Sequence, residues 1–332
     1  MIMFDVYCLC NPLFDILATS NEELLADCGS EKGAMTLVSV EHQRRLLSQA
    51  AIEITAREAG GSGANTAIGV AQLGFKAAFG GCVGTDDFGL ALSDALLLGG
   101  VTPHFGQTDV DTGVCLVLTT PDAQRTMHTC LGASQYFSPE LVNVDAIADS
   151  KILYVTGYLW DTKLQQDAVE HAMSAARNAD RLVAFSLSDA FCIDRHREAF
   201  GNLLSSHVDI VFGNEQEALA ISGKDDVYEA ATWLAEQTGH LAIITRGADG
   251  CLFADANGTT QVDAYTTQAV DTTGAGDMFA SAALCGLVAG YTYEQTGKLA
   301  SYMSASIVAE FGPRNPHIDI AKALAYAGIP AA

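Results

Sequence analysis

Seven residues, Asp271-Thr272-Thr273-Gly274-Ala275-Gly276-Asp277, run straight into the apolar segment Met278 to Gly290. Glycines at a helix start let several backbone N–H groups point into one small space, where the helix macrodipole is also positive. Such a place holds an oxyanion, and a phosphoryl group is its usual occupant. Asp277 falls in the first turn beside that anion, where it could take a proton from an attacking hydroxyl. The other reading is an ordinary glycine-rich loop whose acid only favours the helix N-terminus.

A second glycine cluster, Gly60-Gly61-Ser62-Gly63-Ala64-Asn65-Thr66, opens another helical stretch that ends near Leu73-Gly74. It is neither a nucleophile elbow, because Ala64 stands where the last Gly is needed, nor a dinucleotide fingerprint, because Thr66 does. What remains is a glycine pair that lets a ligand approach the backbone, with Asn65 offering both a donor and an acceptor to a polyhydroxyl compound. Asn65 as a solvated helix-turn residue is the alternative.

Three more groups follow apolar runs that read as strands. Asn11-Pro12-Leu13-Phe14-Asp15 places Asp15 where an acceptor could clamp vicinal hydroxyls, since ligands gather beyond the carboxyl ends of parallel strands. Asp15 as a plain turn acid is the alternative. Asn214-Glu215-Gln216-Glu217 is either a capping box or a pair that organises water around Mg²⁺ near phosphates. Thr245-Arg246-Gly247-Ala248-Asp249-Gly250 is either a hairpin turn or a loop that passes close to a planar or phosphate group. No Gly-x-x-x-x-Gly-Lys-Ser/Thr occurs, and neither His-Arg-Asp nor Asp-Phe-Gly, so P-loop NTPases and protein kinases are unsupported.

The elements that must hold these groups alternate. Met3 to Leu9, Ile152 to Val155, Leu182 to Phe185, Val208 to Phe212 and Leu241 to Thr245 read as buried strands. Gly63 to Leu73, Phe88 to Leu98, Leu164 to Asn178, Arg195 to Ser205, Glu215 to Ser222 and Tyr228 to Thr238 read as helices. That alternation predicts an α/β fold, a mainly parallel sheet with helices on both faces. Asp15 to Val40 and Val101 to Leu131 depart from it and are expected to form antiparallel strands of a small flap. The alternative is that they extend the edge of the main sheet. With no repeat or linker-like run, one compact domain (1–332) with a lid at about 15–40 and 101–131 is expected.

Composition narrows the partners. The 332 residues are 49% hydrophobic and 17% charged, as in a well-cored protein. A formal net charge of −23 repels nucleic acid and anionic membrane surfaces, so neither is expected as a partner. Nine scattered cysteines without paired CxxC knuckles read as buried thiols in a reducing cytoplasm. The N-terminus has no basic stretch before an apolar one, so no signal peptide is expected, and the longest apolar run is too short to span a bilayer.

In their order, the four motifs resemble the ribokinase-like (PfkB) family of sugar and nucleoside kinases. Gly60 to Asn65 is similar to its first signature, Asp271 to Asp277 to its second, and Asn214-x-x-Glu217 and Thr245-x-Gly247-x-x-Gly250 to two more, over a span from Asn11 to about Gly312. The resemblance implies a three-layer sandwich with a small β lid, and an ATP-dependent phosphotransferase. Asp277 would be the base, and the N–H groups of Gly274, Ala275 and Gly276 the anion hole. Asn214 and Glu217 would serve Mg²⁺ and phosphate, with Glu217 acting through water, and Thr245, Gly247 and Gly250 the nucleotide. Asn11, Asp15, Gly61, Ser62 and Asn65 would lie on the acceptor side. Asp271 and Thr273 would be local ligands of a monovalent cation such as K⁺. Asp277 is expected to need no raised pKa, since the proton can leave late in phosphoryl transfer.

Asn11 to Ile16, with Thr112-Gly113-Val114-Cys115 and Arg125, is similar to the adenosine kinase branch. There Met35, Leu37, Leu116, Met127, Tyr158 and Leu159 would sandwich a purine, and Arg125 would reach the phosphates on lid closure. The expected reaction is phosphorylation of a nucleoside 5′-hydroxyl, adenosine first. The alternatives are a furanose sugar kinase and a non-catalytic nucleoside-binding regulator. Either a monomer or a homodimer fits.

Overall fold

The computed structural model describes residues 2–21, 23, 25, 32–33, 35–49, 52–121 and 125–330. Part of the expected flap lies outside these residues, both within 15–40 and at 122–124 within 101–131.

Strand β1 (Phe4–Leu9) is apolar on both faces and nearly all buried, which only the middle of a covered sheet permits. Around it a nine-stranded sheet has the order β14-β13-β12-β11-β10-β9-β1-β5-β6. Its members are β5 (Ala77–Gly84), β6 (Val101–Thr108), β9 (Ser150–Thr156), β10 (Leu182–Ser186), β11 (Ile210–Asn214), β12 (Leu241–Thr245), β13 (Cys251–Asp255) and β14 (Gly258–Val262). From β6 to β12 all neighbours are parallel, and β13 and β14 add an antiparallel edge. The chain leaves β1 for β5 on one side and returns later to β9 on the other. The carboxyl ends of β1 and β9 therefore flank a topological switch point, where a crevice opens.

Helices cover both faces, as alternation predicts. Helices α2 (Ser62–Gln72), α3 (Asp87–Leu98), α9 (Ala275–Ala289), α10 (Tyr293–Val308) and α11 (Ile320–Tyr326) bury Ile68, Leu92, Leu284, Met303 and Ala323 on one side. Helices α4 (Val144–Ala148), α5 (Lys163–Asn178), α6 (Ala190–Ser206), α7 (Glu215–Ser222) and α8 (Val227–Thr238) bury Ile147, Met173, Phe200, Ile221 and Leu234 on the other. Among the described residues no helix is long and apolar enough to cross a membrane.

A second, five-stranded sheet has the order β3-β8-β7-β2-β4, built from β2 (Leu13–Thr19), β3 (Met35–Leu37), β4 (Glu53–Gly60), β7 (Thr112–Thr119) and β8 (Arg125–Gly132). One face packs Phe14, Ile16, Leu116 and Leu118 against Leu46 of α1 (Val40–Leu47) and Phe88 of α3. By the two-residue period, Leu13, Asp15 and Leu17 of β2 look the other way.

The flap differs from expectation in three ways. Val101–Thr108 is the parallel edge strand of the large sheet, because its β-branched residues pair with β5. Glu53–Gly60 belongs to the small sheet instead, although its charged, alanine-containing sequence looks helical and was not expected as a strand. Nor is the small sheet purely antiparallel: β2 runs parallel to β7 and β3 parallel to β8.

Candidate active site

Asp277 stands in the first turn of α9, facing the first turn of α2. Ser62 Oγ donates to its Oδ1, and Asn65 Nδ2 donates to its Oδ2 at 2.9 Å. These side chains meet because the two helices touch one turn further on. A Cβ at Gly69 would lie 2.4 Å from Ser281 Oγ, so only glycine permits that approach. Gly69 follows Asn65 by four residues, as Ser281 follows Asp277, and one close crossing sets the spacing of both pairs. Gly61 before α2 has φ +92°, and a Cβ there would meet the Asn11 carbonyl at 2.9 Å. Burial raises the Asp277 pKa, opposed by its bonds to Ser62 and Asn65 and by the Arg314 charge. The sequence expectation rested on the late departure of the proton and did not weigh this desolvation.

Arg314 is the main site residue that the motifs missed. Its Nε donates to Asn65 Oδ1 at 2.8 Å, while its Nη2 has no acceptor among the described residues. Burial lowers its pKa, and the charges of Asp15, Glu58 and Asp277 oppose that. It lies just past Gly312, where the motif resemblance ends. In a chain with 17 basic and 40 acidic residues, an Arg after Gly312-Pro313 was the only available signal.

Asp15 faces the same space. A Cβ on Gly60 would fall 2.1 Å from the Asp15 Cγ, so that glycine exists to seat this carboxylate. Burial pushes its pKa up to about 7, with Arg314 and Arg125 opposing and Glu58 and Asp277 adding to the rise. Strand register places Glu58, Asp15, Cys115, Thr129 and Leu37 in one row across the small sheet. At about 4.8 Å per strand, Asp15 to Leu37 spans about 14 Å. The row ends at a 220 Å³ pocket with Leu131, Gln135, Asp161, Thr162 and Arg195 in its walls, and Arg195 is ion-paired with Asp161.

Asn214 and Glu217 form a complete capping box at the start of α7. Asn214 Oδ1 accepts from Glu217 N at 2.9 Å, and Glu217 Oε2 accepts from Asn214 N at 3.1 Å. The capping box does not bury the pair away from the crevice, because both residues also line a 350 Å³ cavity with Ser62, Gly276 and Asp277. Burial pushes the Glu217 carboxyl up to about 7. Among the described residues no group of three acidic, His or Cys side chains could hold a metal ion. One carboxylate and one amide fit a Mg²⁺ that arrives on phosphates and keeps its waters.

A second cavity of 470 Å³ shares Asn214, Thr245, Thr272, Gly276 and Phe279 with the first, so the two join. Thr245, Gly247 and Gly250 lie in its wall as expected. Its other walls were not anticipated: Ala264 to Thr267, and Ser301, Ser304, Ala305 and Val308 on one face of α10. Those i, i+3, i+4, i+7 positions hold small residues, a legible signal for a groove beside a helix. A Cβ at Gly276 would meet nothing within 4 Å and would project into open space at the junction of the cavities. The N–H groups of Gly274 and Gly276 carry no bond to the described residues, whereas that of Ala275 donates to Thr272 O at 3.2 Å. Ala275 is thus tied into the turn and departs from the expected set of three donors.

Three further expectations are corrected. Asn11 does not face the acceptor: its Nδ2 donates to Tyr158 O at 2.7 Å and its Oδ1 accepts from Gln165 Nε2 at 2.8 Å, a buried clamp between β1 and β9. Leu159 is fully buried in the main core, and Leu116 in the core of the small sheet, so neither can touch a ligand. An apolar side chain next to a site is more often claimed by the core, and only Tyr158 of that neighbourhood lines the cavity. Arg125 donates through Nη1 to Asp271 Oδ2 at 2.6 Å and to Thr273 Oγ1 at 2.7 Å, so it binds the loop before the anion site rather than open space.

The PfkB family carbohydrate kinase profile matches residues 33–320. This chain belongs to that family. It is an ATP-dependent kinase acting on an alcohol group of a sugar or nucleoside. A 5-dehydro-2-deoxygluconokinase of Listeria monocytogenes is 28% identical over 280 residues, covering 80% of this chain and 86% of its own. Among solved structures, a probable sugar kinase from Rhizobium etli is 36% identical with a TM-score of 0.90, covering 99% of both chains. An adenosine kinase from Sinorhizobium meliloti is 35% identical with a TM-score of 0.88, covering 98% of this chain and 99% of its own.

Proposed function

We propose that this kinase phosphorylates the 5′-hydroxyl of a nucleoside, adenosine first. The observation that carries the reading is the row from Asp15 to Leu37. A furanose spans little more than one strand spacing of about 4.8 Å, and the remaining two spacings suit a planar aglycone. Met35, Leu37 and Met127 share that face by register, and the polar pocket at its end offers Gln135, Asp161, Thr162 and Arg195 to the edge of a base.

In this reading Asp15 accepts from the two vicinal ribose hydroxyls. The 5′-hydroxyl lies against Asp277, which takes its proton, and Ser62 and Asn65 hold that carboxylate in place. The free N–H groups of Gly274 and Gly276 face the transferring phosphoryl charge at the positive end of α9. Thr245, Gly247 and Gly250 line the nucleotide, and small residues of α10 make room for its base. Asn214 and Glu217 would hold the water shell of Mg²⁺, which supplies charge neutralisation on the phosphates. Asp15, Glu58 and Asp277 together oppose an anionic acceptor.

A furanose sugar kinase is the second reading, since the names of the curated relatives point to sugar-type acceptors. The two are separated by ADP release from Mg-ATP with adenosine, inosine, guanosine, ribose, fructose and 5-dehydro-2-deoxygluconate, with Asp277→Asn as blank. Turnover highest with adenosine is the expected result. Turnover confined to a free sugar would keep Asp277 and discard the aglycone.

A further inference from the structure

The loop that carries the expected anion hole begins at Asp271, and the resemblance suggests a monovalent metal ion there. The residues present do not fit one. A carboxylate offers about four lone-pair directions, and four donors reach this one. Asp271 Oδ1 accepts from Thr273 N at 2.9 Å and from Thr273 Oγ1 at 2.7 Å. Oδ2 accepts from Gly312 N at 3.0 Å and from Arg125 Nη1 at 2.6 Å. Arg125 reaches in from the first residue of β8 in the small sheet, and its side chain is 22% exposed beside an Asp271 that is 9% exposed. Every group that reaches this carboxylate donates a hydrogen to it, and one of the four is a full positive charge, so its own lone pairs are taken up instead of turned to a hard cation.

We propose that the Arg125 guanidinium takes the place of a monovalent metal ion at Asp271, so that turnover does not depend on potassium. The charge arithmetic is the same: one fixed positive charge neutralises one buried carboxylate and orders the turn from Asp271 to Gly276. The difference is the source. A metal ion comes from solution, whereas Arg125 comes from the small sheet, so the seating of that sheet and the order of the anion loop are one event. Arg125 is therefore a positioning residue, acting through Asp271 and Thr273. The inference rests on kinase activity alone and not on which acceptor is used.

The test compares KCl with N-methylglucamine chloride at equal ionic strength, by turnover and by thermal unfolding. Wild type should show the same kcat and the same Tm in both salts. Arg125→Met should lose turnover by about 10²-fold, the scale of an ångström's misplacement of catalytic groups. The vacated carboxylate should then gain a potassium-specific rise in Tm, with part of kcat restored. Arg125→Lys should stay indifferent to potassium. Activation or stabilisation of the wild type by K⁺ overturns the proposal. So does an Arg125→Met protein that responds to K⁺ in neither readout, since its carboxylate then attracts no cation. Should Arg125→Met not fold, Arg125→Gln replaces it, and the wild-type comparison decides. The Tm readout needs no acceptor, so it stands apart from the outcome of the nucleoside test.

Discussion

At the residue scale, two carboxylates share one chemistry but are proposed for different roles. Asp277 is bound by two donors and set against the helix N-terminus, so it is placed rather than merely charged. Asp277→Asn should lower kcat by about 10²–10⁴-fold, the usual contribution of a general base, and leave the ATP dissociation constant unchanged by calorimetry. Near-normal turnover would remove it as the base. The role proposed for Asp15 is testable through pH. Its ordinary pKa of 3.8 rises to about 7 with burial, against Arg314 and Arg125. Below pH 7 it becomes protonated and gives up part of its capacity to accept from a diol. The KM for the acceptor should therefore rise as pH falls from 8 to 6, and Asp15→Asn should flatten that profile. Stability has the opposite sign. The folded state prefers protonated Asp15, so its contribution to stability is lost as pH rises from about 4 to 7. Without ligand, Asp15→Asn should gain Tm relative to wild type at pH 8 but not at pH 4, and a gap independent of pH would contradict the buried carboxylate. Residues within contiguous glycine motifs were legible, because spacing alone places Ser62, Asn65 and Asp277. Arg314 was not, since a lone Arg acquires meaning only when the chain folds back across α2.

At the element scale, glycines separate packing from function. Gly274 has φ +77° and a Cβ there would sit 2.6 Å from the Pro313 carbonyl, whereas Gly276 is helical with open space around it. Gly276→Ala should raise stability by roughly 0.5–1 kcal/mol through helix propensity, yet weaken kcat/KM for ATP because its methyl enters the phosphate space. Gly274→Ala should lower Tm instead. Gly69→Val tests the helix crossing. It touches no ligand, but overpacking against Ser281 costs about 1–3 kcal/mol, and separating α2 from α9 should lower kcat with little change in KM. Unchanged kcat in a folded Gly69→Val protein would sever the crossing from the site. The same glycines explain what the sequence hid. Strand β5 (AAFGGCVG) carries Gly80 and Gly81 where a Cβ would strike Tyr7 and Pro12, so a central strand shows no strong strand signal and went unassigned. Strand β4 hid behind its charges, because an edge strand exposed along nearly its whole length has no apolar alternation to display.

At the scale of the whole molecule, the fold class was legible from strand and helix alternation, since a covered parallel sheet needs long apolar runs wherever it is cut. The division between sheets was not, because β6 and β7 both read as strands and a strand's own residues do not say which sheet it joins. One global quantity bears directly on substrate choice. The chain carries a formal net charge of −23, and both site arginines already face carboxylates. A nucleotide triphosphate must approach against that field even with Mg²⁺ bound, while a nucleoside is neutral. Salt shortens the reach of the field, from about 30 Å at 0.01 M to about 8 Å at 0.15 M. The kcat/KM for Mg-ATP should therefore rise with ionic strength over that range, while the value for adenosine stays level. An acceptor whose kcat/KM climbs with salt as steeply as that of Mg-ATP must itself be an anion, which would argue for an acidic sugar over a nucleoside. A fall for Mg-ATP would mean that a local positive field outweighs the global one, and would point to Arg314, whose Nη2 has no acceptor among the described residues.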